Sequence, residues 1–459
     1  MQKEAEQNLP IRKLSRSTIK NKISHISWPS HGRVCEIVGT IVEATLPNSK
    51  LGHIVEIAAL NSSTVVLAEV VGFREDRALL IPFSSLNGIG SGSLVSRQRE
   101  GDFVDIDDSM LGKIFDPFLN CLSDTSFKIG QNPTRTPIEN NPPNPMERER
   151  ISKPLSLGVR AIDGLLTFGD GQRLGIMAGS GVGKSVLLGM MAKGSEADIN
   201  VIGLIGERGR EVREFLEKDL GEEGLKKSIV ISVTSDQSPL MKIRAAKVIH
   251  SIAEYFSAKG NRVLLMMDSL TRVAMAQREI GLAIGEPPST KGYTPSVFSI
   301  LPKILERSGP QKKDHGPISA LYTVLVDGDD FNDPIADAAR SILDGQINLT
   351  RRLASKGHFP AIDIGSSISR CMPDIIPTAH RMLATKFKSY MGSYEENFDL
   401  IQIGAYQPGA NRVLDKALKI MPAIERYLTQ DLNEQSTFTE AQQGLQGLLF
   451  EPEEMNANG

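Results

Sequence analysis

Ala178-Gly179-Ser180-Gly181-Val182-Gly183-Lys184-Ser185 follows the apolar run Leu174–Met177 and opens the helical run Val186–Ala192. A strand, a glycine-rich loop and a helix in that order are the context of a phosphate-binding P-loop. Small residues let successive backbone N–H groups turn inward around phosphate oxygens. The helix N-terminus adds a favourable partial charge. In this context Gly179, Ser180, Gly181, Val182 and Gly183 form the cradle, Lys184 reaches the β- and γ-phosphates, and the Ser185 hydroxyl can ligate Mg²⁺. Ala178 stands where the strict pattern has glycine, and its methyl group is small.

Two stretches downstream add what a triphosphate site needs besides a cradle. Val263–Met267 is an apolar strand that ends in Asp268. In a parallel sheet the carboxyl end of such a strand lies beside the P-loop, where a carboxylate can hold a metal through water. An Asp that merely caps the next helix would have the same local sequence. Gly206-Glu207-Arg208-Gly209-Arg210-Glu211 follows the strand Val201–Ile205. Glu207 at the mouth of the site could polarise an attacking water, although the segment taken by itself fits a solvated charge run better.

Outward from these motifs, apolar strands alternate with amphipathic helices. Ile229–Val233 and Tyr322–Val326 join the strands already named, and Leu240, Ile243, Val248, Ile249, Ile252 and Phe256 mark a helix between two of them. Alternation of this kind predicts a parallel sheet with helices on both faces. Residues 25–95 instead carry short β-rich runs with Gly, Asn and Pro between them, the pattern of a small barrel. Residues 131–150 hold Pro133, Pro137, Pro142, Pro143 and Pro145 among polar residues and are expected to be an extended connector without secondary structure. Residues 376–459 are helical in pattern. Residues 1–24 carry Lys3, Arg12, Lys13, Arg16, Lys20 and Lys22, with Ile11, Leu14, Ile19 and Ile23 near helical spacing. That reads as a short basic amphipathic helix, or else as a disordered tail.

The 459 residues are too many for one ordinary core. Lys and Arg number 52 against 55 Asp and Glu, so the chain has no bulk attraction for nucleic acid, and none is expected as a partner. No apolar run approaches the ~20 residues of a membrane-spanning helix, and the N-terminus lacks a secretory stretch, so a cytoplasmic protein is expected. Cys35, Cys121 and Cys371 are far apart and share no metal-ligand spacing with the His residues, which predicts buried or inert thiols.

Gly206-Glu207-Arg208, placed between the P-loop and the Asp268 strand, resembles the rotary ATP synthase group. Asp268-Ser269-Leu270-Thr271-Arg272, Arg278-Glu279-Ile280-Gly281-Leu282-Ala283, Gly285-Glu286-Pro287-Pro288 and Lys291-Gly292-Tyr293-Thr294-Pro295-Ser296 narrow the likeness. So do Gly328-Asp329-Asp330, Asp333-Pro334-Ile335-Ala336-Asp337, Ile342-Leu343-Asp344-Gly345, Gly404-Ala405-Tyr406 and Val413-Leu414-Asp415-Lys416. Together, over roughly residues 25–450, they resemble the ATPases of the flagellar and type III protein-export machinery. Gly158-Val159-Arg160-Ala161-Ile162-Asp163-Gly164-Leu165-Leu166 and the Gly181-Val182-Gly183 loop read more like the flagellar branch.

The resemblance implies an α/β protein: a regulatory tail over 1–24, a β-barrel oligomerisation domain over 25–95, a P-loop (RecA-like) ATPase domain over 96–375 and a helical domain over 376–459. It implies Mg²⁺-dependent ATP hydrolysis with Glu207 as the catalytic carboxylate and Arg208 helping to hold the site. Asp268 would sit by the metal, Arg272 near the phosphates, and Phe359 against adenine. Arg370, ending Ser367-Ile368-Ser369-Arg370, matches an arginine finger given to a neighbouring subunit. The partners implied are a homohexamer, a regulatory subunit on the N-terminal tail, a stalk protein, chaperone–substrate complexes and a membrane export gate at the inner membrane. The chain departs from the family at Pro117-Phe118-Leu119, where Gly and small residues are usual, and at Gln346 and Asn348. A rotary synthase subunit would divide the catalytic carboxylate and the finger between two subunit types, whereas this chain carries both. A hexameric RNA motor would need a basic, aromatic-studded N-terminal platform, and residues 25–95 hold only Trp28, Phe73 and Phe83.

Overall fold

A computed structural model describes residues 31–60, 63–97, 102–326 and 333–449. The basic segment within residues 1–24, Trp28, Gly328-Asp329-Asp330 and the acidic stretch from Glu451 lie outside the described residues. The chain divides into two compact units, one running to Ile81 and taking in Ser85–Gly101, the other made of Pro82–Ser84 and the chain from Asp102 onward.

The first unit is a closed barrel of β1 (His31–Val38), β2 (Ile41–Thr45), β3 (Ile54–Ala58), β4 (Val65–Arg74), β5 (Arg77–Pro82) and β6 (Leu94–Arg97), in the order β1-β2-β5-β4-β3-β6. Period-2 alternation turns Val34, Val42, Ala44, Val55, Ile57, Ala68, Val70, Leu80 and Val95 inward. Closure removes the exposed strand edges that would invite aggregation. The buried carboxylate of Glu43 is matched by Arg74 at 2.7 Å and Arg77 at 3.0 Å.

The second unit opens with β7 (Phe103–Ile106), β8 (Ile114–Phe115) and β9 (Thr134–Pro137). β9 pairs antiparallel with β7, so the expected featureless connector contains a strand. Proline is tolerated there because the pair is a two-stranded edge with no further ladder to serve. The Pro117-Phe118-Leu119 departure forms a tight turn in which Asp116 Oδ1 accepts from Phe118 N and Asn120 N, and Leu119 takes φ of 62°.

β10 (Arg173–Ala178), β11 (Ile199–Glu207), β12 (Ser228–Thr234), β13 (Val263–Asp268), β14 (Ile318–Leu325), β15 (Gly345–Leu349) and β16 (Ile368–Ser369) complete an eight-stranded sheet in the order β16-β15-β10-β14-β13-β11-β12-β8. Its pairings are parallel except β15–β16. The strand runs named from sequence are β10 to β14, and the expected helix is Pro239–Ala258, capped by Ser238. Helices Thr378–Glu396, Arg412–Leu428 and Phe438–Leu449 follow the sheet. One apolar core runs from Leu174, Ile176 and Leu187 through Ile362 to Phe387, Tyr427 and Leu445, so these helices share the core of the sheet. No helix among the described residues is long and apolar enough to cross a membrane. The cysteines are free and half-buried rather than fully buried. Burial pushes the Cys371 thiol up to about 12, which leaves it unreactive.

Candidate functional site

The loop after β10 turns directly into the helix Lys184–Gly194. Gly183, at the helix N-cap, has φ of 84°, and no side chain caps the first turn. Its N–H groups are therefore available to an anion. Only glycine fits at this point. Besides the left-handed backbone, a Cβ would sit 3.3 Å from two ring carbons of Phe359.

Parallel register brings the carboxyl ends of β10, β11, β13 and β14 together beside this loop. Lys184 Nζ bonds Asp268 Oδ1 and lies 3.4 Å from Glu207 Oε1. Thr323 Oγ1, on β14, donates to the same Asp268 oxygen at 2.6 Å. Burial works to lower the Lys184 ammonium, but Asp268 and Glu207 outweigh it and hold the lysine above its ordinary value. Burial pushes the Glu207 carboxyl above the usual carboxylate range, and the charge of Asp268 adds to this against the pull of Lys184. A carboxylate tuned upward in this way is a better proton acceptor near neutral pH.

Glu207 owes its direction to a bulge. Ile205 pairs with Val233 and Glu207 with Thr234, so Gly206 is the extra residue on β11, with φ of 77°. A Cβ on Gly206 would lie 2.9 Å from Arg272 Cβ and Cγ, so the arginine stem packs flat on the bulge. Arg272 Nε is buried without a hydrogen-bond partner, a donor that an anionic ligand would satisfy.

The remaining expected residues separate. Arg208 does not join the cluster: its side chain is 78% exposed and pairs with Glu211 at 3.5 Å. It begins the Gly209–Glu214 helix, which carries it into solvent. Phe359 is 40% exposed, with its ring on Gly183. Arg370 is exposed and donates to the carbonyls of Leu343 and Arg340, both at 3.4 Å, while its N–H bonds Asp344 O. Ser369 pairs with Gly345, whereas Leu349 pairs with Ala178. Arg370 thus sits at the amino end of the sheet, with about 13 Å of strand between it and the start of its own P-loop.

Ser185 and Asp268 offer hard oxygen donors suited to Mg²⁺, which characteristically takes one or two protein ligands and completes its shell with phosphate and water. No group of three or more His, Cys, Asp or Glu among the described residues is placed to hold a metal by itself. Sequence reasoning missed Thr323, the Gly206 bulge and Gln430, whose backbone N–H donates to Phe359 O at 3.0 Å. Of these only Gly206 carries a local signal, as the glycine that follows a strand and opens the Gly206-Glu207-Arg208 motif.

Residues 34–98 match the ATP synthase alpha/beta family β-barrel domain, residues 158–369 that family's nucleotide-binding domain, and residues 376–447 the T3SS EscN ATPase C-terminal domain. The flagellum-specific ATP synthase of Bacillus subtilis is 51% identical over 90% of this chain and 94% of its own length. The type 3 secretion system ATPase of Xanthomonas euvesicatoria is 45% identical over 89% and 91%. Among solved structures, the assembled ATPase EscN of the enteropathogenic E. coli type III secretion system is 43% identical, with a TM-score of 0.86, over 91% of this chain and all of that one. EscN in complex with its central stalk EscO gives 0.84. The chain belongs to the ATP synthase alpha/beta family and, within it, to the flagellar and type III export ATPases.

Proposed function

We propose that this chain is the Mg²⁺-dependent ATPase of a flagellar export system, a homohexamer that unloads chaperone–substrate complexes at the membrane export gate. The observation that carries the chemistry is the Lys184–Glu207–Asp268 cluster beside the uncapped Gly179–Gly183 loop. Loop N–H groups and Lys184 hold the β- and γ-phosphates, and Arg272 Nε adds a donor. Bound Mg²⁺ would neutralise phosphate charge between Ser185 and, through water, Asp268, which Thr323 orients. Glu207 takes a proton from water as its oxygen bonds the γ-phosphorus and the bond to the β–γ bridging oxygen breaks, leaving ADP and phosphate. Phe359 faces the adenine.

Arg370 lies at the wrong end of the sheet to serve its own cradle, so it acts as a finger for a neighbouring copy. The flagellar reading is supported by 51% identity to the Bacillus subtilis flagellar relative, although six further flagellar relatives, at 44–47%, lie on either side of the type 3 secretion relative at 45%. The stalk partner is supported by the EscN–EscO complex. Residues 1–24 dock the regulatory subunit, and the ring works in the cytoplasm against the inner-membrane export apparatus.

Two variants test the reading. Glu207→Gln keeps the cradle and should bind ATP while turning over at least about 100-fold slower. Arg370→Ala should lose ~10³-fold or more. Mixed together, the two should regain part of the activity at interfaces pairing an intact Glu207 with an intact Arg370. A Glu207→Gln enzyme nearly as fast as wild type removes Glu207 from its role. Mixed rings as inactive as either parent remove Arg370 from its own.

A further inference from the structure

Gln430 lies two residues past the Arg412–Leu428 helix and is only 4% exposed. Its Oε1 accepts from Arg160 N at 2.9 Å, and its Nε2 donates to Gly158 O and Glu434 O, both at 2.8 Å. Its backbone N–H holds Phe359 O at 3.0 Å. Gly158 in turn abuts the last residue of the P-loop helix: a Cβ on it would lie 2.7 Å from Gly194 Cα. At the other end of that helix, the Phe359 ring lies on Gly183.

These contacts form a closed circuit. It runs from Gly183 along the helix to Gly194, across to Gly158, through the Gln430 amide to Phe359, and back to Gly183. The ring of Phe359 is thus held against Gly183 of the phosphate cradle through the P-loop helix and the buried Gln430. We propose that Gln430 is a positioning residue: it fixes, against Gly183 of the cradle, the aromatic wall on which the purine base of the nucleotide packs. This rests on the reading of Phe359 as base-facing. Replacing the amide by an apolar group leaves the half-buried Arg160 N without its partner and Gly158 O with only the longer bond from Ser436 N at 3.4 Å. The Gln430 backbone then loses its side-chain anchors and is held on Phe359 only through the Arg160 guanidinium bonds to Tyr427 O and Thr429 O beside it, while the cradle keeps its own fold.

The test is a double-mutant cycle of Gln430→Leu and Phe359→Ala. It measures dissociation constants for ADP and for pyrophosphate, which has no base, together with KM and kcat for ATP. Loss of an aromatic wall should weaken ADP and raise KM about tenfold in each single variant. Pyrophosphate affinity should stay within about twofold, and kcat should fall by no more than about threefold. The double variant should bind ADP no worse than Phe359→Ala alone. Gln430→Leu binding ADP as wild type does while Phe359→Ala weakens it overturns the inference and spares the base-facing reading. Phe359→Ala without effect on ADP overturns both. Equal weakening of ADP and pyrophosphate, or multiplying effects in the double variant, also overturns it. Gln430→Glu keeps the acceptor for Arg160 N and loses the donor to Gly158 O. Should Gln430→Leu fail to fold, the Glu variant is judged by the same criteria, with a rise of about three- to tenfold expected.

Discussion

At its first turn the Lys184–Gly194 helix faces ionised side chains, and at its last it meets packed backbone. The near end leaves buried Asp268 and half-buried Glu207 around one lysine, with Glu207 held above its ordinary range. The far end leaves nothing to exchange. Lys227 Nζ donates to Lys193 O at 3.2 Å and Ser195 O at 2.7 Å, and Asn200 Nδ2 donates to Ala192 O at 2.9 Å. Asp163 accepts from Ser156 Oγ, Leu157 N and Gly158 N, which fixes the backbone that touches Gly194. The difference follows from what each end must do. Misplacing a reacting phosphate by about 1 Å can cost on the order of 100-fold in rate, so a helix whose tip exchanges ligands needs an immobile base. Substitutions at the tip should cost activity, and those at the base should cost stability.

The largest effect at the base is expected of Gly158→Ala. A Cβ there strikes the Gly194 backbone at 2.7 Å, and Gly158 has φ of 75°. Strain and overpacking together should cost on the order of 3 kcal/mol in denaturant unfolding. An unchanged unfolding midpoint would mean that the base is not tightly locked. Asp163 sharpens the contrast through pH. Burial pushes its carboxyl up to about 6 from the ordinary 3.8, despite the hydrogen bonds it accepts. The folded protein therefore holds this proton more tightly than the unfolded chain. That contribution is full below about pH 4 and is lost as pH rises through about 6. Asp163→Asn should remove it, so the stability of wild type relative to the variant should grow by on the order of 2–3 kcal/mol between pH 6 and 4. A constant difference across that range would show that Asp163 does not titrate there. Lys227→Met should have the smallest effect, ~1 kcal/mol from two lost carbonyl contacts at the helix C-terminus, with KM for ATP unmoved. A raised KM would show that the base transmits to the tip.

Much of this architecture was legible before the structure. β10, β11, β13 and the P-loop are continuous in sequence, so periodicity and a local motif identify them. What escaped depends on distant partners. Thr134–Pro137 looks like a linker because Pro137 and the preceding Pro133 are a poor fit to a central strand, and only pairing with Phe103–Ile106 makes it a strand. Asn348, an apparent departure, ties β15 to Ser366 O at 2.8 Å, a contact with no local signature. In the six-residue π-helical segment Phe215–Leu220 the Asp219 backbone packs on Gly189 of the P-loop helix, another contact between residues distant in sequence. At the site, Lys184, Glu207 and Asp268 converge as the parallel order requires, whereas Arg208 turns to solvent because the helix that it begins points outward. Thr323 sits in an apolar strand and Gln430 just past a helix end, and nothing local distinguishes either.

The position of Arg370 at the amino end of the sheet, opposite its own phosphate loop, has a counting consequence if it serves the next copy. An open string of n chains then contains n − 1 complete sites, because the last cradle has no donor and the first donor has no cradle. Joining the ends adds one more site without adding a chain. Catalytic capacity becomes a property of boundaries rather than of molecules, and a sample at fixed protein mass reports by its rate how many open strings remain in it.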